Sequence, residues 1–139
     1  MILTRSADYA LRALIHLAEC PTGQAERLDA IAKAQQVPAA LLSKLLQTLV
    51  RGGVVRSQKG YGGGYTLAVD PSELTLRRVV ELIDGPFSVF ECLADERFCQ
   101  LCANCALKTK FQELQDAMVG ILEGTKLAEV LPSAAPPPR

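Results

Sequence analysis

A run of glycines between two short segments of β character constrains the fold of this chain more than any other feature. The run Lys59-Gly60-Tyr61-Gly62-Gly63 separates residues 54–58 from residues 64–69. Glycine supplies the backbone freedom that the tip of a hairpin requires, so the pattern predicts a β-hairpin. A nucleotide-binding loop is excluded, because the run lacks a Gly-Lys-Ser/Thr ending and leads into a strand.

Two helical patterns frame the region around this hairpin. Residues 4–19 carry apolar side chains near the helical period, and Thr4 is placed to cap the first turn. A second pattern, over residues 75–83, predicts a helix after the hairpin. The chain is therefore expected to be mainly α, with a small β-hairpin.

A pair of shorter helices is predicted immediately before the hairpin. Residues 28–35 form the first, and a tight turn at 36–37 leads to Pro38, which is well placed as the first residue of the next helix. That helix should run to Arg51. Its buried stripe is predicted to consist of Leu42, Leu45, Leu46 and Leu49. Helix, turn, helix and hairpin in this order predict a winged helix-turn-helix.

The opposite face of the helix that ends at Arg51 suits the major groove of DNA. A helix can approach base edges only when its outer face is small and polar. Gln47 could pair with adenine, and Ser43 could donate or accept. The residues assigned to DNA contact on this helix are Ala39, Ala40, Ser43, Lys44, Gln47 and Arg51. The alternative is a small helical domain whose helix merely faces water.

The hairpin would add contacts beside the groove. Arg56 and Lys59 are predicted to contact phosphate, and the loop with Tyr61 and Gly62 to reach the flanking backbone or the minor groove. The total charge is zero, but residues 1–69 carry eight basic and four acidic side chains. Residues 70–139 carry seven basic and eleven acidic ones. A basic front half and an acidic back half indicate two separate tasks.

Several protein classes are excluded by the sequence. Charged residues at Arg5, Asp8 and Arg12 interrupt any signal peptide, and no apolar stretch of about 18 residues exists that could span a membrane. The cysteine count is odd, at five, which argues against a secreted disulfide framework. We therefore expect a soluble cytoplasmic protein without membrane partners.

Four cysteines cluster in the order Cys92-x6-Cys99-x2-Cys102-x2-Cys105. Such thiols could bind an iron–sulfur cluster, close a structural zinc site or act as a redox switch, and their spacing leaves all three open. An enzyme is not expected, because no His or Lys lies near them to activate a thiolate. His16 is interpreted as a residue of the polar face, and Cys20 as a small buried hydrophobe at a helix end.

A long helix is predicted to begin near Cys105 and end near Glu123. Its apolar side chains recur at four and three residues, a seam that suits pairing with a second helix and hence a homodimer. The seam consists of Leu107, Phe111, Leu114, Met118 and Ile121. The predicted division is a DNA-binding domain (1–85), a cysteine loop (86–104), a dimerisation helix with a short C-terminal helix (105–131) and a disordered tail (132–139).

The chain resembles the winged-helix transcriptional regulators of the IscR, NsrR and RirA type. The resemblance rests on Leu3-Thr4, on the segment Asp8 to Leu14, on the segment Gly60 to Ala68 and on a cysteine cluster before a long helix. It implies a homodimeric repressor that binds a palindromic DNA operator and carries an iron–sulfur cluster, of the 4Fe–4S or 2Fe–2S type, with zinc as the alternative. The operator cannot be transferred, because the IscR type has a glutamate where Ser43 stands.

The resemblance also implies ligands. Cys92, Cys99 and Cys105 match the three cysteines of cluster-binding relatives, and Asp8 matches an aspartate that NsrR-like relatives supply from the partner subunit. Cys102 is an additional or alternative ligand. IscR-like relatives have a histidine three residues after the last cysteine, but residue 108 is Lys, so their Cys3His site is not supported. Cys99, Cys102 and Cys105 are three residues apart. Together with Cys92 they could converge on one cluster only if the chain stays irregular through residue 104.

Overall fold

The computed structural model describes residues 3–132 of the 139-residue chain. The predicted disordered tail lies outside the described residues, apart from Pro132. Helices and strands follow in this order: α1 (Arg5–Glu19), α2 (Leu28–Gln35), α3 (Ala39–Arg51), β1 (Val55–Gln58), β2 (Gly64–Leu67), α4 (Leu76–Asp84), α5 (Glu91–Ala94) and α6 (Lys108–Gly124). Three 3-10 turns lie at Glu96–Phe98, Cys102–Asn104 and Leu127–Val130.

The predicted cap of α1 is confirmed. The Thr4 side-chain oxygen accepts a hydrogen bond from the Ala7 amide at 3.1 Å, which satisfies one of the free N–H groups of the first turn. The same hydroxyl donates to Asp84 at 2.6 Å. One side chain thus caps α1 and joins its start to the end of α4.

The helix pair is also confirmed, with one correction at its turn. Gln36 adopts the left-handed conformation (φ 53°) that ends α2, and Pro38 precedes α3 rather than forming its first turn. Pro38 has ψ 126°, outside the helical range, while its carbonyl still accepts from the Leu42 amide at 2.9 Å. The four leucines of α3 that were predicted to be buried are all buried: Leu42, Leu45, Leu46 and Leu49.

The main core lies between α1, α2, α3, α4 and strand β1. Its fully buried side chains include Leu14, Ile31, Leu46 and Val79. Leu127, from the C-terminal 3-10 turn, is fully buried in the same cluster, and its amide donates to the Leu74 carbonyl at 2.8 Å. The chain therefore returns to its N-terminal core after α6.

The hairpin is present, one or two residues shorter than predicted at its outer ends. Strands β1 and β2 pair antiparallel, with Arg56 opposite Thr66, and the Gly63 amide donates to the Gly60 carbonyl at 3.0 Å to close the tip. Tyr65 also exchanges two backbone hydrogen bonds with Glu26, at 2.8 and 2.9 Å. Gly64 lies so close to the Glu26 carbonyl that a Cβ would collide with it, which requires glycine there.

Helix α6 begins at Lys108, three residues later than predicted. The 3-10 turn Cys102–Asn104 precedes it, and Cys105 is extended (φ −79°, ψ 116°), so the chain cannot be helical there. No helix in the described part of the chain is long and apolar enough to cross a membrane. With the helix-turn-helix and the hairpin, these elements form the expected winged helix-turn-helix with a long C-terminal helix.

The apolar residues of the predicted α6 seam face two ways: some are exposed, and others pack within the same chain. Leu107, Leu114 and Ile121, each seven residues from the next, are 58%, 47% and 68% exposed. Met118 packs into a small second cluster around Val80, inside the same chain. Part of the seam therefore already has contacts within its own chain, while the outer row stays exposed in the described chain. That the seam pairs with a second helix stays a prediction.

Candidate functional site

The outer face of α3 is accessible along its length. Lys44, Gln47 and Arg51 are exposed, as are Ala39 and Ala40 at the start of the helix, while Ser43 is half-buried. The Gln47 amide lies 3.5 Å from the Ser43 hydroxyl, and Arg51 contacts the Thr48 hydroxyl at 3.4 Å. These are loose contacts between neighbouring turns, so the side chains can exchange them for base or phosphate partners.

The wing extends this face. Arg56 and Lys59 are exposed, and so are Tyr61 and Gly62 at the tip, where the Tyr61 ring has no cover from the described residues. A shallow groove between α3 and the wing is lined by residues of both elements: Gln47, Val50, Arg51, Ser57 and Tyr65. Two of the residues predicted to contact DNA, Gln47 and Arg51 of α3, therefore lie beside residues of the wing strands.

The sequence that carries α3 and the wing is basic. Residues 30–69 contain no aspartate or glutamate, whereas they contain Lys33, Lys44, Arg51, Arg56 and Lys59. These side chains attract a phosphate backbone, and an acidic residue beside the wing loop, Asp29 of α2, lines a pocket with Gly60 and Gly63. The absence of acidic residues over forty positions was available from the sequence and sharpens the division into halves described above.

The cysteine segment, residues 86–105, contacts α6 near its own start. The rings of Phe90 and Phe111 stack with centroids 3.9 Å apart, and the Gln115 side-chain oxygen accepts from the Val89 amide at 3.0 Å. Phe87 is buried beside Val80 of α4. The start of the segment is thus held by contacts with α4 and α6, and the first thiol, Cys92, comes two residues after Phe90 in the chain.

The four thiols are not equivalent. Cys92, Cys99 and Cys105 are half-buried, whereas Cys102 is only 5% exposed and its thiol points to the Cys92 carbonyl at 3.7 Å. Lys108 forms an ion pair with Glu96 and also contacts Cys102, and these contacts, Glu96 first, raise the pKa of the Lys108 ammonium group. The prediction that no lysine lies near the cysteines is therefore wrong.

The geometry of the segment tests which group could fit it. A tetrahedral zinc ion holds its sulfur ligands roughly 3.8 Å apart, given Zn–S bonds of about 2.3 Å. Within residues 3–132, no three of the loop cysteines bring their sulfur atoms within 4.8 Å of one another. Cys92 lies in α5 and Cys102 in the 3-10 turn Cys102–Asn104, whereas Cys99 and Cys105 are extended, so the chain is not irregular through residue 104. Thiols are the ligand type that iron–sulfur clusters take, so the donor set fits such a cluster by its chemistry.

Asp8 lies in the first turn of α1 and is exposed. Its carboxylate accepts from the Arg12 guanidinium at 3.0 Å, the contact expected four residues apart on a helix. In the described chain it joins no group of three potential metal ligands. A contact between Asp8 and the cysteines of the same chain is therefore not formed, and its predicted role depends on a second subunit.

One cluster of potential ligands was missed by the sequence reasoning. The Cys20 thiol donates to the Glu26 carboxylate at 3.2 Å, and the His16 ring lies 3.6 Å from the same carboxylate oxygen. Cys20 is half-buried rather than a plain buried hydrophobe, and burial followed by the Glu26 contacts raises its pKa to about 11. The four-residue spacing of His16 and Cys20 was a visible signal, but nothing in the sequence indicated Glu26.

Comparison with known proteins places the chain in a family. The sequence profile of the Rrf2 family, described as iron-dependent transcriptional regulators, matches residues 3–133. The transcriptional regulator NsrR of Bacillus subtilis is 30% identical over 132 residues, which cover 94% of this chain and 90% of that protein.

Solved structures agree with this assignment. CymR, the global cysteine regulator of B. subtilis, superposes with a TM-score of 0.77 at 25% identity and covers 94% of this chain and 95% of its own. IscR of T. potens has the same fold, with a TM-score of 0.75 at 21% identity, and covers 97% and 89% of the two chains. The expected resemblance is confirmed. The chain belongs to the Rrf2 family of winged-helix transcriptional regulators.

Proposed function

We propose that this protein is a dimeric repressor whose affinity for a palindromic operator is controlled by an iron–sulfur cluster held by residues 92–105. The observation that carries the proposal is a set of four thiols within fourteen residues, in a segment that packs against α4 and α6. In this proposal residues 1–85 bind DNA, residues 86–104 together with Cys105 hold the cluster, and residues 105–131 form the dimer contact.

The DNA contact uses one α3 helix from each subunit in successive major grooves. Two such helices about 34 Å apart correspond to half-sites about 10 base pairs apart, and a symmetric dimer requires a palindrome. Gln47 reads bases, while Lys44, Arg56 and Lys59 neutralise phosphates. The exposed row Leu107, Leu114 and Ile121 supplies an apolar seam for the second α6.

The cluster ligands are Cys92, Cys99 and Cys105, with Asp8 of the partner subunit as the fourth. A bound cluster would react with oxidants and nitric oxide, and its formation would depend on the supply of iron. Cys102 is the alternative fourth ligand. Its burial and its contacts with the Cys92 carbonyl and Lys108 favour a supporting role, because these contacts hold its thiol inside the segment.

A continuous set of contacts connects this segment with the recognition helix. Phe90 stacks on Phe111 of α6, Met118 of α6 packs near Val80 of α4, and Arg78 of α4 donates to the Gly52 carbonyl at the end of α3, at 3.1 Å. A change in the cysteine segment can therefore shift the population of dimer arrangements with different α3 spacing. An oxygen ligand from the partner would connect cluster loss directly to subunit orientation.

The proposal is tested by purifying the full chain without oxygen and measuring its iron, acid-labile sulfide and absorption. We expect a brown protein whose affinity for DNA selected from a random library changes at least 10-fold when nitric oxide or air destroys the cluster. A brown protein with the same affinity in both states would contradict control by the cluster. A colourless protein after anaerobic reconstitution would contradict the cluster itself.

A second candidate function is a regulator that responds to thiol oxidation. Four thiols lie within residues 92–105, and the structural relative CymR is described as the global cysteine regulator of its organism. A colourless protein whose DNA affinity changes on oxidation, and not in the Cys102→Ala variant, would support it. A colourless protein with one zinc ion and unchanged affinity would support a structural zinc site.

A further inference from the structure

We propose that His16, Cys20 and Glu26 form a second metal site, specific for a divalent transition metal of the zinc class and separate from the cysteine segment. The site lies where α1 ends and where the chain pairs with the wing strand. It goes beyond the proposed function, which does not use any of these three residues.

The donor atoms are already close together. The Cys20 Sγ and Glu26 Oε2 atoms are 3.2 Å apart, and the His16 Nε2 and Glu26 Oε2 atoms are 3.6 Å apart. All three donor atoms lie within 4.8 Å of one another. Ligands of a tetrahedral zinc ion with bonds of about 2.0–2.3 Å lie roughly 3.3–3.8 Å apart, so little movement is required.

The His16 ring supports this assignment independently. Its Nε2 atom is buried and has no hydrogen-bond partner among the described residues, although a carboxylate oxygen faces it at 3.6 Å. A buried ring nitrogen without a partner is rare in folded proteins. The other ring nitrogen, Nδ1, lies 3.5 Å from the Gln35 side-chain amide. After a half-turn of that amide, its oxygen could accept the Nδ1 proton, which would leave Nε2 free to bind a metal.

The chemistry of the three ligands selects the class of metal. Nitrogen, sulfur and oxygen donors together suit zinc, whereas calcium and magnesium require oxygen ligands alone. Binding replaces the thiol proton of Cys20 by the metal and releases that proton to solvent. Three protein ligands leave a fourth position for water, and the His16 and Glu26 side chains, 21% and 27% exposed, leave a path for the ion.

The position of the site gives it a consequence for DNA binding. His16 and Cys20 belong to the last turn and cap of α1, where the helix carbonyls favour a cation. Glu26 is held by two backbone hydrogen bonds to Tyr65 of strand β2. A metal bound by all three residues would therefore join α1 to the base of the wing and hold the wing more firmly.

The test uses the full chain with Cys92, Cys99, Cys102 and Cys105 all replaced by alanine, so that only Cys20 can supply a thiolate. We titrate this protein with Co²⁺ alone, as a coloured substitute for Zn²⁺. We expect one ion per chain, with a thiolate-to-cobalt charge-transfer band and the visible bands of a tetrahedral ion, both removed by Zn²⁺. Absence of the charge-transfer band overturns the proposal.

Variants then identify the ligands. Cys20→Ser and His16→Gln, each in the same background, should weaken Co²⁺ binding at least about 100-fold, since even the loss of an outer partner costs 10–100-fold. Asp29→Asn is the matched control, because it removes an exposed carboxylate near Glu26 without touching the site. Equal binding by Cys20→Ser and the background protein places the metal elsewhere and overturns the proposal.

A second measurement avoids the fourfold substitution. His16 is the single histidine of the chain, so its imidazole NMR signals report on this site in the unsubstituted protein. Zn²⁺ should shift these signals in slow exchange and slow the hydrogen exchange of the Tyr65 amide. His16 signals that do not respond to one equivalent of Zn²⁺ beyond that taken up by the cysteine segment overturn the proposal.

Discussion

The two halves of the molecule use their apolar residues differently. Helix α3 buries four leucines, three of them in a core shared with α1 and α4, whereas no side chain of the 17-residue helix α6 is more than partly buried in the described chain. Between the two helices lies the cysteine segment, which consists of short helical turns and carries four thiols able to bind a metal. The difference shows that α3 packs into a core which Leu127 of the C-terminal 3-10 turn completes, whereas the outer row of α6 stays exposed in the described chain.

The largest effect should come from the cysteine segment. Replacing Cys99 by alanine should abolish the iron–sulfur absorption after anaerobic reconstitution, because a thiolate ligand is lost, whereas Cys102→Ala should retain it. Asp8→Ala should retain the colour but make the cluster more labile to air. Absorption and iron content check all three variants.

A colourless Cys102→Ala protein would reverse the ligand assignment and make Cys102 the fourth ligand. Cys20→Ala is the matched control, because Cys20 lies outside the segment and its loss should leave the absorption unchanged.

A charge in the exposed row of α6 should separate the subunits. Leu114→Glu would bury an unpaired carboxylate in the dimer seam, at a cost of several kcal/mol in association free energy. Analytical ultracentrifugation should show a monomer that is folded by circular dichroism. Gln112→Glu, on a neighbouring exposed position, is the control and should remain dimeric. A dimeric Leu114→Glu protein with normal DNA affinity would show that the seam is misassigned.

A cavity in the first half should reduce stability instead of association. Leu46 is fully buried, so Leu46→Ala should lower the free energy of unfolding by about 2–5 kcal/mol. Leu101→Ala, at a residue that is 73% exposed in the cysteine segment, should change it by less than about 0.5 kcal/mol. Urea unfolding measures both. Equal losses at the two positions would remove the contrast between the halves.

The smallest effects are expected on the DNA-binding face. Gln47→Ala should relax preference at one base position, at about 1–3 kcal/mol of discrimination. Lys44→Ala and Lys59→Ala should weaken binding to all sequences and reduce the slope of affinity against salt by about 1 each. Fluorescence anisotropy on selected and random duplexes measures both effects. Equal loss on both duplexes for Gln47→Ala would count against base reading by this residue.

Much of the fold could be predicted because its signals are local. The Thr4 cap, the leucine stripe of α3 and the glycine run of the wing each act over a few residues, and each is found where it was expected. The start of α6 was less predictable. The chain before it forms a 3-10 turn at Cys102–Asn104, and the buried Cys102 thiol in that turn contacts the Cys92 carbonyl ten residues away, which no periodic pattern reveals.

The candidate sites divide in the same way. Spacing alone drew attention to the four cysteines and to the polar face of α3, because those residues are close in sequence. The direction of Phe111 and Met118, inward against Phe90 and Val80, was not visible, because a heptad pattern does not say which chain it faces. Glu26 joined His16 and Cys20 only through its pairing with the wing.

The amino-acid order by itself determined the helix-turn-helix, the wing, the basic face and the family, since these depend on short-range periodicity, turn residues and motifs of adjacent positions. Only the tertiary structure decided which thiol is buried, which half of the α6 seam stays exposed and which carboxylate approaches His16 and Cys20. The physical reason is that burial and donor distances are set by packing between elements far apart in the chain. That packing brings Glu26 to Tyr65 and Leu127 to Leu74.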